Sequence, residues 1–112
     1  MGYITYEDFD RVEIRVGRIV KVEDFPKARK PAYKIWVDFG DSGLKQSSAQ
    51  LTKLYTAEEL VGKQVLAVTN FPPRQVADFI SEVLILGVNA EDNGSVALVQ
   101  PDRPVPLGQR LY

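Results

Sequence analysis

The sequence contains no cysteine and no histidine among its 112 residues. Without cysteine, disulfides, thiolate catalysis and cysteine-ligated zinc are excluded together. Without histidine, the commonest general base, the commonest metal ligand and any serine–histidine nucleophile are excluded as well. Neither sign of charge dominates, because 14 Lys and Arg stand against 15 Asp and Glu, for a net charge of −1. No overall field therefore draws the chain to nucleic acid, and any such attraction must come from a local patch. Long apolar runs are missing, so no segment reads as a bilayer span. The opening "MGYITYEDFD" is acidic, lacks a basic stretch before an apolar core, and does not read as a secretory signal. Tyr6 stands where a myristoylation motif wants Ser or Thr. The expectation is a cytoplasmic protein without membrane insertion.

Catalytic constellations are also lacking. Glu58-Glu59 fit a helix start, Glu91-Asp92 precede a turn, and Ser47-Ser48 have no base nearby in sequence. No glycine-rich phosphate cradle is present. The chain reads as a binding protein, not an enzyme, with no cofactor and no metal site expected.

What is present is a β pattern. A hydrophobic content of 45% with 26% charge suits one globular domain spanning residues 1–112. Thr5 and Asp8 predict a capped helix from about Tyr6 to Arg11. "VEIRVGRIVKV" then alternates, placing Val12, Ile14, Val16, Val20 and Val22 on one expected face, with Gly17 suggesting a bulge or sharp bend. "AYKIWVDFG" repeats the alternation with Tyr33, Ile35, Val37 and Phe39 inward, and "GLKQSSAQL" is a weaker third strand. Thr56 and Glu59 form a capping box, with Gly62 placed to close a short helix. Strands follow at "QVLAVTN" and "EVLILGV", and Asn93-Gly94 between apolar runs predicts a hairpin. The tail "QPDRPVPLGQRLY" reads as an extended edge or loop. Three strands, a helix, then two strands is the order of a five-stranded OB-fold barrel, with an N-terminal helix and a C-terminal hairpin added.

One stretch departs from the overall charge balance. "EDFPKARKPAYKIW" gathers Lys27, Arg29, Lys30 and Lys34 within eight residues, interleaved with Phe25, Tyr33 and Trp36. Cations with aromatics beside the first two strands of a barrel can hold phosphates and stack bases, or hold the acidic and backbone groups of an extended polypeptide. The bland alternative is a solvated loop whose lysine stems cover Tyr33. Trp36 falls on the outward parity of its strand and is either covered by a neighbouring element or turned to a ligand. "NFPPRQVADFI" is apolar but broken by Pro72 and Pro73, so it is no regular central strand. It suits a plug for the barrel mouth or a groove lined by Phe71, Phe79 and Ile80.

These motifs carry a family resemblance. "VEIRVGRIVKVEDFPKAR", "VDFG", "SSAQL", "EELVGKQV" and "NFPPR…ISEVLILG" follow in the order of the tRNA-binding-domain family of OB-folds. The departures are specific. Phe25-Pro26 replaces a His-Pro, Arg29 replaces an acid, Ala77-Asp78 replaces Arg-Gly, and Val83-Leu84 replaces Gly-Met. More narrowly, "KARKPAYKIWVDFG", "KQSSAQLTKLY" and "DFISEVLILGV" resemble a homodimeric, export-related chaperone branch of that family. The resemblance implies a homodimer that holds unfolded or export-bound polypeptides. Its expected cationic rim is Lys27, Arg29, Lys30 and Lys34, and its expected apolar groove is Trp36, Phe71, Phe79 and Ile80. The alternative it implies is tRNA binding through Lys30, Asn70, Arg74 and Ser81.

Overall fold

The computed structural model describes residues 2–92 and 94–112. Helix α1 (Tyr6–Asp10) begins at the expected cap, where Asp8 N–H donates to Thr5 Oγ1 at 3.1 Å and Thr5 N–H donates to Asp8 Oδ2 at 3.0 Å. Strand β1 (Ile14–Asp24) is long and serves two partners. Its first half pairs with β4 (Gln64–Val68), and its second half with β2 (Tyr33–Asp38). Strand β3 (Leu44–Ala49) adds to β2, and β7 (Leu84–Ile85) adds to β4, for the order β3-β2-β1-β4-β7. The result is a nearly closed antiparallel barrel of the OB type.

The residues 80–82 segment closes the gap between the outer strands. Glu82 N–H donates to the Gln46 carbonyl at 2.8 Å, Gln46 N–H to Glu82 Oε1 at 3.1 Å, and Ser48 N–H to Ser81 Oγ at 3.2 Å. The open edge of β3 is thereby covered, which leaves fewer backbone groups for unwanted pairing. Helix α2 (Ala57–Leu60), capped by Thr56 and Glu59 as expected, sends Leu60 fully into the core. The core joins Ile19, Ile35, Val37, Phe39, Leu60 and Val65 with Tyr33, whose hydroxyl donates to the Tyr55 carbonyl at 2.9 Å.

Three expectations are corrected. The valines of β1 do not share one face. The pairing register shifts between Ile19 and Lys21, so Val20 is the extra residue of a bulge and is exposed, as is Val12. Before the bulge it is Gly17 and Ile19 that face the core. A Cβ on Gly17 would lie 2.4 Å from Val37 Cγ1 and within 2.9 Å of the Phe39 ring, so this glycine is required by close approach, not by the bend. The expected fifth strand divides, with β7 staying in the barrel and β8 (Gly87–Asn89) leaving to pair with β9 (Val96–Leu98). That pairing is the expected hairpin, although Asn93 of its turn lies outside the described residues. The irregular "NFPPRQVADFI" contains a second hairpin, β5 (Arg74–Val76) with β6 (Phe79–Ser81), turning at Ala77-Asp78.

The tail returns along β1. Val16 N–H donates to the Gln109 carbonyl at 3.0 Å, and Leu111 N–H to the Ile14 carbonyl at 2.8 Å. Buried Gln64 grips the tail from the barrel, its amide donating to the Val105 carbonyl at 2.7 Å and accepting from Val105 N–H at 3.1 Å.

Candidate functional site

A groove of about 1070 Å³ runs between the loop that follows β1 and the β5–β6 hairpin. Arg29 and Lys30 stand on the loop wall, Arg74 and Gln75 on the hairpin wall, and Leu84 to Gly87 with the end of β3 form the floor. A smaller recess of about 430 Å³ continues it past Ser48, Arg74 and Leu84 to Phe71, Pro72, Pro73 and Ser81. Among the described residues no acidic side chain lines the larger groove, and none of Arg29, Lys30 and Arg74 makes a salt bridge. Three cations over an apolar floor therefore face one space, on a chain whose net charge is −1. Glu82, in the smaller recess, has its carboxylate engaged by Gln46 N–H.

The expected rim is split by the fold. Arg29 and Lys30 line the groove, but Lys27 and Lys34 do not. Lys27 Nζ pairs with Asp78 Oδ2 at 3.1 Å, joining the loop to the hairpin tip, and the Lys27 ammonium holds the Asp78 carboxyl below its usual range. Lys34 Nζ lies over the Phe25 and Phe79 rings, 5.0 and 5.5 Å from their centroids. The expected apolar groove is split too. Phe71 is 53% exposed and lines the smaller recess, whereas Phe79 is 6% exposed and packs edge-to-face on Phe25 and Trp36. Ile80 is exposed and lines neither space.

Of the residues expected at RNA, Lys30, Arg74 and Ser81 converge on the groove and its recess. Ser81 Oγ also accepts from Ser48 N–H and donates to the Val83 carbonyl at 3.4 Å, so its hydroxyl is already engaged within the fold. Asn70 lies elsewhere. Its Oδ1 accepts from Glu13 N–H at 2.9 Å and its Nδ2 donates to the Arg11 carbonyl at 2.7 Å, which makes it a brace between the end of α1 and β4. Sequence reasoning missed Gln75 and Leu84. Leu84 stands at the outward parity between buried Val83 and Ile85, a signal hidden in the continuous run "VLIL".

Residues 14–110 match the putative tRNA binding domain. The chain belongs to this family. Among solved structures, the chaperone CsaA from Bacillus anthracis is 45% identical with a TM-score of 0.92, covering 99% of this chain and 100% of that one. The CsaA chaperone protein from Picrophilus torridus is 50% identical with a TM-score of 0.88, covering 98% and 100%. The methionine–tRNA ligase of Thermococcus kodakarensis is 37% identical over 99% of this chain, which spans 14% of the ligase's length. Membership in the tRNA-binding-domain family, with full-length likeness to CsaA chaperones, supports a chaperone or tRNA-binding role. No described helix is long and apolar enough to cross a membrane.

Proposed function

We propose that this protein is a chaperone-like holder of unfolded or export-bound polypeptides, working in the cytoplasm as a homodimer and without catalysis. The observation that carries the reading is the groove itself, in which Arg29, Lys30 and Arg74 rim an apolar floor with no acidic side chain among the described residues. Such a site makes weak, sequence-tolerant contacts, with the cations steering acidic segments and the floor taking apolar side chains. The near-complete likeness to two CsaA chaperones supports polypeptide as the ligand.

A second reading, tRNA binding, is favoured by the family match and by the convergence of Lys30, Arg74 and Ser81 on one space. Phosphate contacts from three cations give a slope of log affinity against log salt of about −2 to −2.7.

The deciding experiment measures affinity for reduced, carboxymethylated lactalbumin and for bulk tRNA side by side at physiological salt. The polypeptide is expected to bind more tightly. Reversing Arg29, Lys30 and Arg74 to Glu should weaken its binding mainly through slower association, and the loss should shrink as salt is added. Stability should move by no more than about 0.5 kcal/mol per exposed site. Tighter binding of tRNA would install the second reading. A charge-reversed protein that folds normally and binds both as well as the parent would sink both.

A further inference from the structure

The two walls of the groove are joined behind it. Phe25, 3% exposed, comes from the loop, and Phe79 from the hairpin, and their ring centroids are 5.6 Å apart at an interplanar angle of 62°. Trp36 of β2 also packs edge-to-face with Phe79, at 5.9 Å and 83°. The indole N–H donates to Gln46 Oε1 at 3.2 Å, and the Gln46 amide donates to the Ile80 carbonyl at 2.7 Å, tying the hairpin to the barrel wall. Lys34 sits over two of the rings, and the Lys27–Asp78 pair spans the lip. This cluster is separate from the barrel core.

The same two segments thus present Arg29, Lys30 and Arg74 to the groove and their aromatic residues away from it. The cations on opposite walls repel one another, and that repulsion favours spreading of the walls. Edge-to-face rings and a cation over their faces supply attraction on the far side. We propose that Phe25, Phe79 and Trp36, with Lys34 and the Lys27–Asp78 pair, form a clasp that sets the width of the groove. The clasp rests on the reading of the groove as the binding site. It positions Arg29, Lys30 and Arg74 before a ligand arrives, so ordering is not required at the moment of binding.

Two measurements test it. Spin labels at Lys30→Cys and Gln75→Cys, in a chain with no native cysteine and diluted into excess unlabelled protein, report the wall-to-wall distance without any ligand. Phe79→Ala should broaden and lengthen that distance distribution, while circular dichroism keeps the barrel's strand signal. In the otherwise native chain, Phe79→Ala should weaken binding of carboxymethylated lactalbumin about tenfold if the competent width falls to about one tenth of the population. Adding Lys27→Cys and Asp78→Cys to Phe79→Ala, then joining the two thiols with a short bis-maleimide, should restore most of the affinity. An unchanged distance distribution in Phe79→Ala overturns the clasp, as does a cross-link that closes the walls without restoring binding. Charge reversal at Arg29, Lys30 and Arg74 separates this from the parent reading. If reversal leaves binding intact while Phe79→Ala still spreads the walls, the groove reading falls with the clasp's role in binding, and only its control of the groove width stands.

Discussion

Ala77 turns the β5–β6 hairpin with φ of +53°, a conformation that strongly favours glycine. Its methyl group crowds the following carbonyl there, a cost of roughly 1–2 kcal/mol for an L-residue. Ala77→Gly relieves it and should raise stability by about 1 kcal/mol, read as a higher urea midpoint at unchanged slope. Lower stability would show that the turn is held by contacts of the methyl group. The neighbouring Asp78 makes a second test. Hydrogen bonding and charge from Lys27 lower its carboxyl from the ordinary 3.8, so the pair is complete above that pH and is lost as pH falls through the depressed value. Lys27→Met should move the Asp78 titration, followed by carboxyl carbon NMR, upward towards the ordinary value. A titration that stays low would mean that Lys27 is not the cause.

Helix α2, at the scale of one element, separates local from tertiary stabilisation. Thr56 Oγ1 accepts from Glu59 N–H at 3.2 Å, and Glu59 Oε1 accepts from Thr56 N–H at 2.7 Å, both on the exposed surface. Thr56→Ala removes one cap and should cost about 1 kcal/mol. Leu60 is completely buried where α2 closes the barrel, and Leu60→Ala should cost roughly 2–5 kcal/mol by leaving a cavity. Four residues cannot hold a helix alone, so the larger effect belongs to packing. Equal losses in chemical denaturation would contradict that ranking.

At the scale of the whole molecule, the most exposed large apolar side chains stand at the two ends of the chain. Tyr3, Ile4, Tyr6 and Tyr112 are exposed, and α1 buries none of its residues. The Arg110 guanidinium donates to the Asp10 carbonyl and thereby lays the tail alongside α1. Exposed apolar side chains that form a contiguous patch mark interaction surfaces. The proposed homodimer uses these side chains, burying well over the roughly 1,000 Å² that separates specific interfaces from chance contacts. Light scattering at micromolar concentration should give twice the chain mass, and Tyr6→Glu should halve it. A monomeric parent would refute the dimer without touching the groove.

Local chemistry alone determined much of this protein. The Thr5 and Thr56 caps, the inward face Tyr33, Ile35, Val37 and Phe39, and the order of strands and helix were legible because each depends on residues a few positions apart. The cationic stretch was legible as a feature but not as a site. Contacts distant in sequence sent Lys27 to Asp78 and Lys34 to Phe79, and left Arg29 and Lys30 to meet Arg74 across the groove. Only the fold could engage Asn70 with Arg11 and Glu13, because its amide is satisfied by backbone more than fifty residues away. The bulge at Val20 is of the same kind. One extra residue reverses the side-chain parity of β1, and whether it is inserted depends on the strand opposite, not on the alternation within.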